Sequence, residues 1–229
     1  MCGRYVITSA LEAIRETFGA GIDPDAPDDW APNYNVSPSQ TVPIVRVADG
    51  ANGGGRRLAW VRWGLVPGWV RTLSTGGAAG LINARSETAA EKPSFRDAYA
   101  HRRCLVVADG YYEWKRAGRS KQPYLLAPAD PAPMAFAGLW ERWARDGTVL
   151  ETCAILTQDA TGVAGEVHDR MPVILDAADI DRWLGDTAPA ITALTPWTGD
   201  RLTAIAVDRR VGNPRNNDAR LLEPMRTLL

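Results

Sequence analysis

The sequence predicts an α+β fold in a single β-rich domain over residues 1–229, in which antiparallel strands form a partly closed barrel with a few flanking helices. Short strand patterns follow one another at close spacing and do not alternate with helices. The dipeptide Asp146-Gly147 separates two of these patterns, as is typical of a β-hairpin. The length of 229 residues suits one large core, and no linker divides the chain convincingly.

Strands are predicted where apolar and β-branched residues alternate with polar ones or form short apolar runs. Several of these patterns lie in the middle of the chain, which is therefore expected to be the densest part of the sheet. In chain order the predicted strands are Arg4–Thr8, Pro43–Val47, Leu58–Trp63, Cys104–Ala108, Tyr111–Trp114, Tyr124–Leu126, Met134–Trp140, Val149–Leu156, Val173–Leu175 and Thr203–Val207.

Helical periodicity occurs in three places. Ser9 is expected to cap a first helix, with Glu12 completing a capping box, and the apolar stripe continues to Gly19. A second helix is expected over Thr88–Ala100, broken near its internal proline. A third, short helix is expected over Asp179–Leu184.

The remaining segments have loop composition. Residues 21–33 are rich in Asp and Pro, and two glycine-rich loops are predicted at 49–57 and 75–80. The first of these would connect two strands of a hairpin. A polar C-terminal tail is expected after the last strand.

Charge excludes one class of nucleic-acid-binding protein. The 26 basic residues are balanced by 27 acidic ones, for a net charge of −1, which argues against coating duplex DNA by bulk attraction. A local basic groove remains compatible with this balance. No apolar run of about 18 residues is present, and the N-terminus lacks the apolar stretch of a secretion signal.

Cysteine usage favours a reducing cytoplasm. The three cysteines form no CxxC pair, and only two histidines are present, so neither a disulfide framework nor a structural zinc site is expected. Cys104 and Cys153 lie inside apolar runs and are interpreted as packing residues.

Cys2 is the first candidate for chemistry. Removal of Met1 would leave Cys2 with a free α-amine next to its thiol. Such an amine condenses with an aldehyde to a Schiff base, and the thiol can then close a five-membered thiazolidine. The alternative interpretation is that Cys2 is an incidental second residue.

Three further blocks each contain one candidate side chain. Asn83 follows two apolar residues, Glu113 alternates with aromatic residues in a strand pattern, and His168 stands just before a short apolar strand. A partly desolvated carboxylate and an imidazole suit proton transfer. The alternatives are a turn asparagine, a surface glutamate paired with Lys115, and a structural histidine.

The blocks MCGRY, YNVSPSQ, WGLVPGW, INARSET, RRCLVVADGYYEWK and VHDRMPVIL occur in this order, and with them the sequence resembles the SRAP family over nearly its whole length. The resemblance implies single-stranded DNA as the partner, bound at an abasic site. It implies a thiazolidine crosslink through Cys2, with Asn83 holding the adduct, Glu113 moving protons and His168 assisting opening of the sugar ring.

The resemblance also implies a set of DNA contacts, which are three cations, two loop residues and two aromatic rings. These are Arg4, Arg85, Arg170, Asn35, Pro38, Trp69 and Trp114. Val70 departs from relatives that carry a second aromatic residue after the first tryptophan, which puts one stacking platform in doubt.

No metal, cofactor or membrane is expected, and the protein is expected to be a monomer. Two other functions remain open at this point. One is a cysteine-type peptidase or autopeptidase that uses Cys2 as nucleophile and His168 as base. The other is a noncatalytic reader of single-stranded DNA.

Overall fold

The computed structural model describes residues 2–27, 29–48, 54–73, 80–185, 187–188, 191, 194, 197–198 and 201–225. Strands predominate in this part of the chain. They are β1 (Tyr5–Ile7), β2 (Ala20–Ile22), β3 (Asn33–Val36), β4 (Thr41–Val47), β5 (Arg56–Trp63), β6 (Asn83–Arg85), β7 (Arg103–Ala108), β8 (Gly110–Ala117), β9 (Ser120–Pro128), β10 (Met134–Arg145), β11 (Thr148–Asp159), β12 (Arg170–Pro172), β13 (Ile174–Leu175) and β14 (Leu202–Ala206).

Helices are short and lie between the strands. They are α1 (Leu11–Phe18), α2 (Arg96–His101), α3 (Gly162–Val167) and α4 (Ala177–Leu184), with two 3-10 turns at Arg209–Gly212 and Ala219–Leu222.

Five strands close into a barrel. The ring runs β5-β4-β7-β10-β11, and β11 returns to β5 in parallel, with Thr152 opposite Arg62 and Cys153 opposite Trp63. The β-rich α+β class is therefore confirmed, and the barrel is closed. The other ring pairings are antiparallel, and the remaining parallel pairs, β2–β5 and β6–β11, add strands to the ring.

A second sheet, ordered β14-β9-β8-β1-β3, packs on the barrel. Tyr5 of β1 lies directly opposite Tyr111 of β8, so both side chains share the inner face of this sheet. Both rings make edge contacts with Phe136 of β10, and Tyr5 also contacts Trp63 of β5. These aromatic contacts join the two sheets.

The barrel interior is closely packed around Gly138 on β10. A Cβ atom there would lie 2.8 Å from Val106 Cγ2 and 2.9 Å from Cys104 Sγ. Cys104 and Cys153 are fully buried, free thiols. Their interpretation as packing residues is confirmed by this burial.

The hairpin prediction at Asp146-Gly147 is confirmed. The φ angles of these residues are 49° and 77°, the left-handed values of the turn type that matches the twist of β10 and β11. Gly19 likewise ends α1 with φ 58°.

The capping prediction at Ser9 is wrong. The residue before α1 is Ala10, and no side chain caps the helix. The Ser9 hydroxyl instead donates to Asp109 Oδ1 at 2.6 Å, because a carboxylate brought close by the tertiary fold competes with the local cap.

Other boundaries also differ from the sequence patterns. The expected loop at 21–33 includes the end of β2 and the start of β3, and the expected helix Thr88–Ala100 is a series of turns that becomes helical only at Arg96. The patterns do not predict β2, β3, β6, β12 or α3, because segments this short depend on neighbours far away in sequence. Asn35, expected in a loop, therefore lies in β3 instead. Much of the two glycine-rich loops, at 49–53 and 74–79, lies outside the described residues.

The C-terminal segment is not a free polar tail over its described part. Val211 and Leu221 are fully buried against β8 and β9 residues that include Tyr112 and Leu125. The segment therefore covers the outer face of the second sheet.

No helix in the described parts of the chain is long and apolar enough to cross a membrane.

We predict that stability falls at alkaline pH. Burial raises the pKa of the Cys104 and Cys153 thiols. The contribution of each to stability is therefore complete below the unfolded pKa of about 8.5 and is lost as pH rises above it, by about 1.4 kcal/mol per pH unit per thiol. Urea unfolding at several pH values between 7 and 10 measures how the free energy of unfolding changes with pH. Cys153→Ala removes one buried thiol, so this decrease with pH should become less steep by about 1.4 kcal/mol per pH unit. If the free energy of unfolding of Cys153→Ala changed with pH as steeply as that of the unsubstituted protein, a raised pKa of the Cys153 thiol would be contradicted.

Candidate active site

The pairing of β1 with β8 places the N-terminal residues next to Glu113. Tyr5 lies opposite Tyr111, and the Tyr112 amide donates to the Arg4 carbonyl at 2.9 Å. Since Glu113 lies two residues beyond Tyr111 on the same face, the residues preceding Tyr5 run alongside it.

Cys2 is fully buried at this point. Burial raises the pKa of its thiol, and the nearby Glu113 carboxylate raises it further, while the backbone N–H of Arg4 acts in the opposite direction. The thiol is therefore neutral in the resting site. It becomes a thiolate readily only if a positive charge arrives next to it.

Asn83 anchors the backbone of Cys2. Its Nδ2 donates to the Cys2 carbonyl at 2.7 Å. Asn83 itself is held on β6, which pairs in parallel with β11 through Asn83 and Ile155. The Asn83 Oδ1 atom is buried and accepts no hydrogen bond from the described residues, so an acceptor remains available beside Cys2.

Glu113 and His168 line one cleft. Glu113, only 4% exposed, faces Cys2 from β8, and His168 follows α3 across the cleft. The cleft has a volume of about 690 Å³ and is open to solvent. Its remaining lining residues are Trp114, Lys115, Arg116, Lys121, Val167 and Asp169.

The His168 ring has two partners at one nitrogen. Nδ1 accepts the backbone N–H of Arg170 at 3.0 Å, which in the neutral ring places the proton on Nε2. The Asp169 Oδ1 atom lies 2.7 Å from the same nitrogen, a contact that suits the protonated ring. The same ring nitrogen therefore lies within reach of both a backbone N–H and a carboxylate.

The structure thus groups the four predicted catalytic residues. Cys2 is hydrogen-bonded to Asn83 and is electrostatically coupled to Glu113, and Glu113 shares its cleft with His168. Their individual roles stay predictions. In the described residues no cluster of His, Cys, Asp and Glu is suited to hold a metal ion.

Asn35 lies inside the protein, and the partly buried Arg4 binds it. Arg4 Nη1 donates to Asn35 Oδ1 and to the Val211 carbonyl, both at 2.9 Å. Asn35 is 1% exposed, and its Nδ2 donates to three carbonyls of the segment at 211–216. In this position both side chains support the C-terminal segment, and Asn35 presents no surface to a DNA strand.

Arg170 is also engaged within the protein. Its guanidinium binds Glu87 and Asp159, each at 2.6 Å, and the Thr157 carbonyl at 2.6 Å. The hydrogen bond with Glu87 raises the pKa of Arg170. A phosphate would have to compete with two carboxylates for this cation.

The other predicted DNA contacts lie nearer the surface. Arg85 is exposed at the end of β6, and Pro38 is partly exposed in the turn between β3 and β4. Trp69 is 62% exposed, and Trp114 is partly buried at the cleft. Their DNA contacts stay predictions.

Asp109 is a site residue that sequence reasoning missed. Its Oδ2 accepts the backbone N–H of Ser9 at 2.7 Å and that of Thr8, and its Oδ1 accepts the Ser9 hydroxyl. The Asp109 amide also donates to the Val6 carbonyl at 2.7 Å. Asp109 therefore clamps the end of β1 in register, although nothing in its local sequence identifies partners 100 residues away.

Comparison with protein families gives one match along most of the chain. The model of the family described as SOS response associated peptidase (SRAP) matches residues 1–214. Three named relatives cover most of the chain. The abasic site processing protein YoaM of Bacillus subtilis is 39% identical over 97% of this chain and 98% of its own length. The abasic site processing protein YedK of Escherichia coli is 32% identical over 98% of this chain and 100% of its own length. The abasic site processing protein HMCES of Xenopus tropicalis is 30% identical over 95% of this chain and 76% of its own length.

Solved structures share the fold. A crystal structure of a protein from Bacteroides thetaiotaomicron matches with a TM-score of 0.81 at 26% identity, covering 98% of this chain and 100% of that chain. A phage-related protein from Bordetella bronchiseptica matches with a TM-score of 0.67 at 31% identity, over 91% and 95%.

We predict that Asp109→Ala loosens β1. The change removes the acceptor of two backbone amides and the Ser9 hydroxyl, which should lower the free energy of unfolding by about 2–4 kcal/mol. Urea unfolding gives the size of the loss, and amide hydrogen exchange should show faster exchange at residues 5–9. Asp130→Asn, at an exposed loop carboxylate, serves as the control. Equal stability of the two variants would mean that the clamp contributes nothing.

Proposed function

The chain belongs to the SRAP family, and from this membership we propose that it processes abasic sites in single-stranded DNA through a covalent thiazolidine link to Cys2. The relatives of known name are called abasic site processing proteins, and they are matched over nearly the whole chain. The proposal assigns their named activity to this protein. It requires removal of Met1, which frees the α-amine of Cys2.

The observation that carries the proposal is the grouping of Cys2, Asn83 and Glu113 behind an open cleft. Asn83 fixes the Cys2 backbone at 2.7 Å, and Glu113 lies close enough for its charge to act on the thiol. A peptidase would need a base that activates the thiol directly. Here the neighbouring group is a carboxylate that disfavours the resting thiolate, which suits an amine-first reaction better.

The proposed reaction has two bond-forming steps. The Cys2 amine attacks the C1′ aldehyde of the ring-opened sugar, and the carbinolamine loses water to give a protonated imine. The thiol of Cys2 then gives its proton to the Glu113 carboxylate, sulfur bonds to C1′, and the π electron pair of the C=N bond becomes the nitrogen lone pair. Glu113 returns its proton when the link is reversed. His168 supplies or accepts a proton at the sugar oxygen.

The geometry of the cleft favours a single strand. An abasic aldehyde in a duplex is difficult to reach, whereas a single strand can enter an open cleft of about 690 Å³. Lys115, Arg116 and Lys121 are exposed at its edge and can bind phosphates. Trp114, in the same cleft, and Trp69 are proposed to stack on bases, and Arg85 to bind phosphate.

The remaining predicted contacts take supporting roles in this proposal. Arg4 and Asn35 hold the C-terminal segment against the second sheet, and Arg170 orients His168 through its own backbone amide. Pro38 shapes the turn after β3.

Covalent capture is the first test. A protein lacking Met1, mixed with a single-stranded oligonucleotide carrying one abasic site, should give a heat-stable adduct with the summed mass minus one water. Cys2→Ala should give no stable adduct, because its α-amine can form only the reversible imine and no thiol is present to close the ring. Glu113→Gln should slow formation and reversal by about ten-fold or more. Intact-mass spectrometry and denaturing gels measure both.

One added variant separates the alternatives. A residue placed before Cys2 blocks the amine, so crosslinking should stop while noncovalent DNA binding persists. Cleavage of peptides in trans by that variant would support a peptidase instead. Saturable binding with no adduct from any form would support a DNA reader, and an undiminished adduct from Cys2→Ala would refute the proposed chemistry.

We predict that the cations at the cleft edge carry the salt-dependent part of binding. Lys115→Ala with Lys121→Ala removes two phosphate contacts, so affinity should fall and the slope of log K against log salt should become less steep by about 1.4. Arg15→Ala with Arg119→Ala makes the same charge change at exposed positions that do not line the cleft. Fluorescence anisotropy with an unmodified single strand measures the slopes. Identical slopes in the two double variants would exclude the cleft edge as the phosphate path.

A further inference from the structure

A buried hydroxyl with no hydrogen-bond partner lies near Cys2. Tyr111 is fully buried, and among the described residues its Oη atom makes no hydrogen bond. A buried hydroxyl without a partner is costly, and native structures retain few of them without a reason. The position of Tyr111 supplies such a reason.

The strand register places Tyr111 on the same face of β8 as Glu113. Tyr111 lies opposite Tyr5 and two residues before Glu113, on the face of β8 that covers the barrel. Its ring is fixed by edge contact with Phe136, at a centroid distance of 6.1 Å. Cys2 belongs to the same buried cluster.

Electrostatics agree with this placement. Burial raises the pKa of the Tyr111 hydroxyl well above its ordinary value, and negative charge on Cys2, then on Glu113, raises it further. Tyr111 therefore keeps its proton when the Cys2 sulfur loses its own. A protonated hydroxyl beside a forming thiolate can donate a hydrogen bond to the charged sulfur.

We propose that Tyr111 donates a hydrogen bond to the Cys2 sulfur as it loses its proton and closes onto the imine. This inference rests on the proposed function and names one more residue for its second step. The proton of the thiol goes to Glu113, as above, while the Tyr111 proton stays on its oxygen. The hydrogen bond offsets the desolvation that otherwise disfavours the thiolate.

The test compares three tyrosine variants. Tyr111→Phe should slow ring closure by about ten-fold or more, the effect of losing a hydrogen bond to a charged group. Tyr112→Phe is the matched control, since its hydroxyl donates to the Tyr34 carbonyl at 2.9 Å on the opposite face of β8. Tyr5→Phe removes a second buried hydroxyl without a hydrogen-bond partner, but one on which Cys153 acts more strongly than Cys2. Both controls should close at nearly the rate of the unsubstituted protein.

Two readouts keep this inference separate from the proposed function. Borohydride reduction traps the imine and therefore measures the first step, the condensation of the amine with the aldehyde. The amount of heat-stable adduct measures the second step, closure of the thiazolidine ring. In Tyr111→Phe the imine should form at the normal rate and accumulate, and the pH dependence of closure should move to higher pH. A structural defect would slow closure equally at every pH. If the unsubstituted protein forms neither imine nor adduct, the proposed function itself fails.

The stability of Tyr111→Phe provides a further check. Removing a hydroxyl that has no partner should leave the urea unfolding midpoint unchanged or higher, so slow closure cannot be ascribed to unfolding. Normal closure in Tyr111→Phe, or an equal slowing in Tyr5→Phe, would overturn the assignment.

Discussion

The candidate site depends on the antiparallel pairing of β1 with β8. Cys2 precedes a strand of only three residues, so its position is fixed by how that strand aligns with its neighbour. A slip of one residue would turn every side chain of β1 to the opposite face. Asp109 prevents such a slip by binding the Thr8 and Ser9 amides, and Asn83 holds the Cys2 carbonyl at the other end.

Burial gives the site its chemical character. The Cys2 thiol is fully buried and lies near the Glu113 carboxylate, so its raised pKa keeps it neutral. In the proposed reaction a protonated imine brings positive charge to the thiol only after the amine has captured an aldehyde. The same low-polarity surroundings that suppress the resting thiolate strengthen its attraction to that charge. The proposed reaction therefore couples the reactivity of the thiol to the presence of an aldehyde substrate.

The tertiary structure separates the basic residues that are bound within the protein from those that are exposed at the cleft. Arg4 and Arg170 lie in motifs of the sequence, yet in the structure they bind carbonyls and carboxylates of the protein itself. The exposed positive charge at the cleft belongs to the β8–β9 hairpin, including Lys115 and Lys121. A net charge of −1 is compatible with this local arrangement because only two of the 27 acidic residues, Glu113 and Asp169, line the cleft.

The sequence by itself determined the β-rich class, most of the longer strands and the Asp146-Gly147 hairpin, since local patterning and turn geometry are sufficient for these. Its motifs also identified Cys2, Asn83, Glu113 and His168 as candidates. The tertiary structure decided the parallel closure of β11 on β5, the Ser9–Asp109 contact that replaces a helix cap, and the burial of Asn35. Each of these depends on residues far apart in the chain, and no local pattern encodes which distant partner a hydrogen-bonding group will meet.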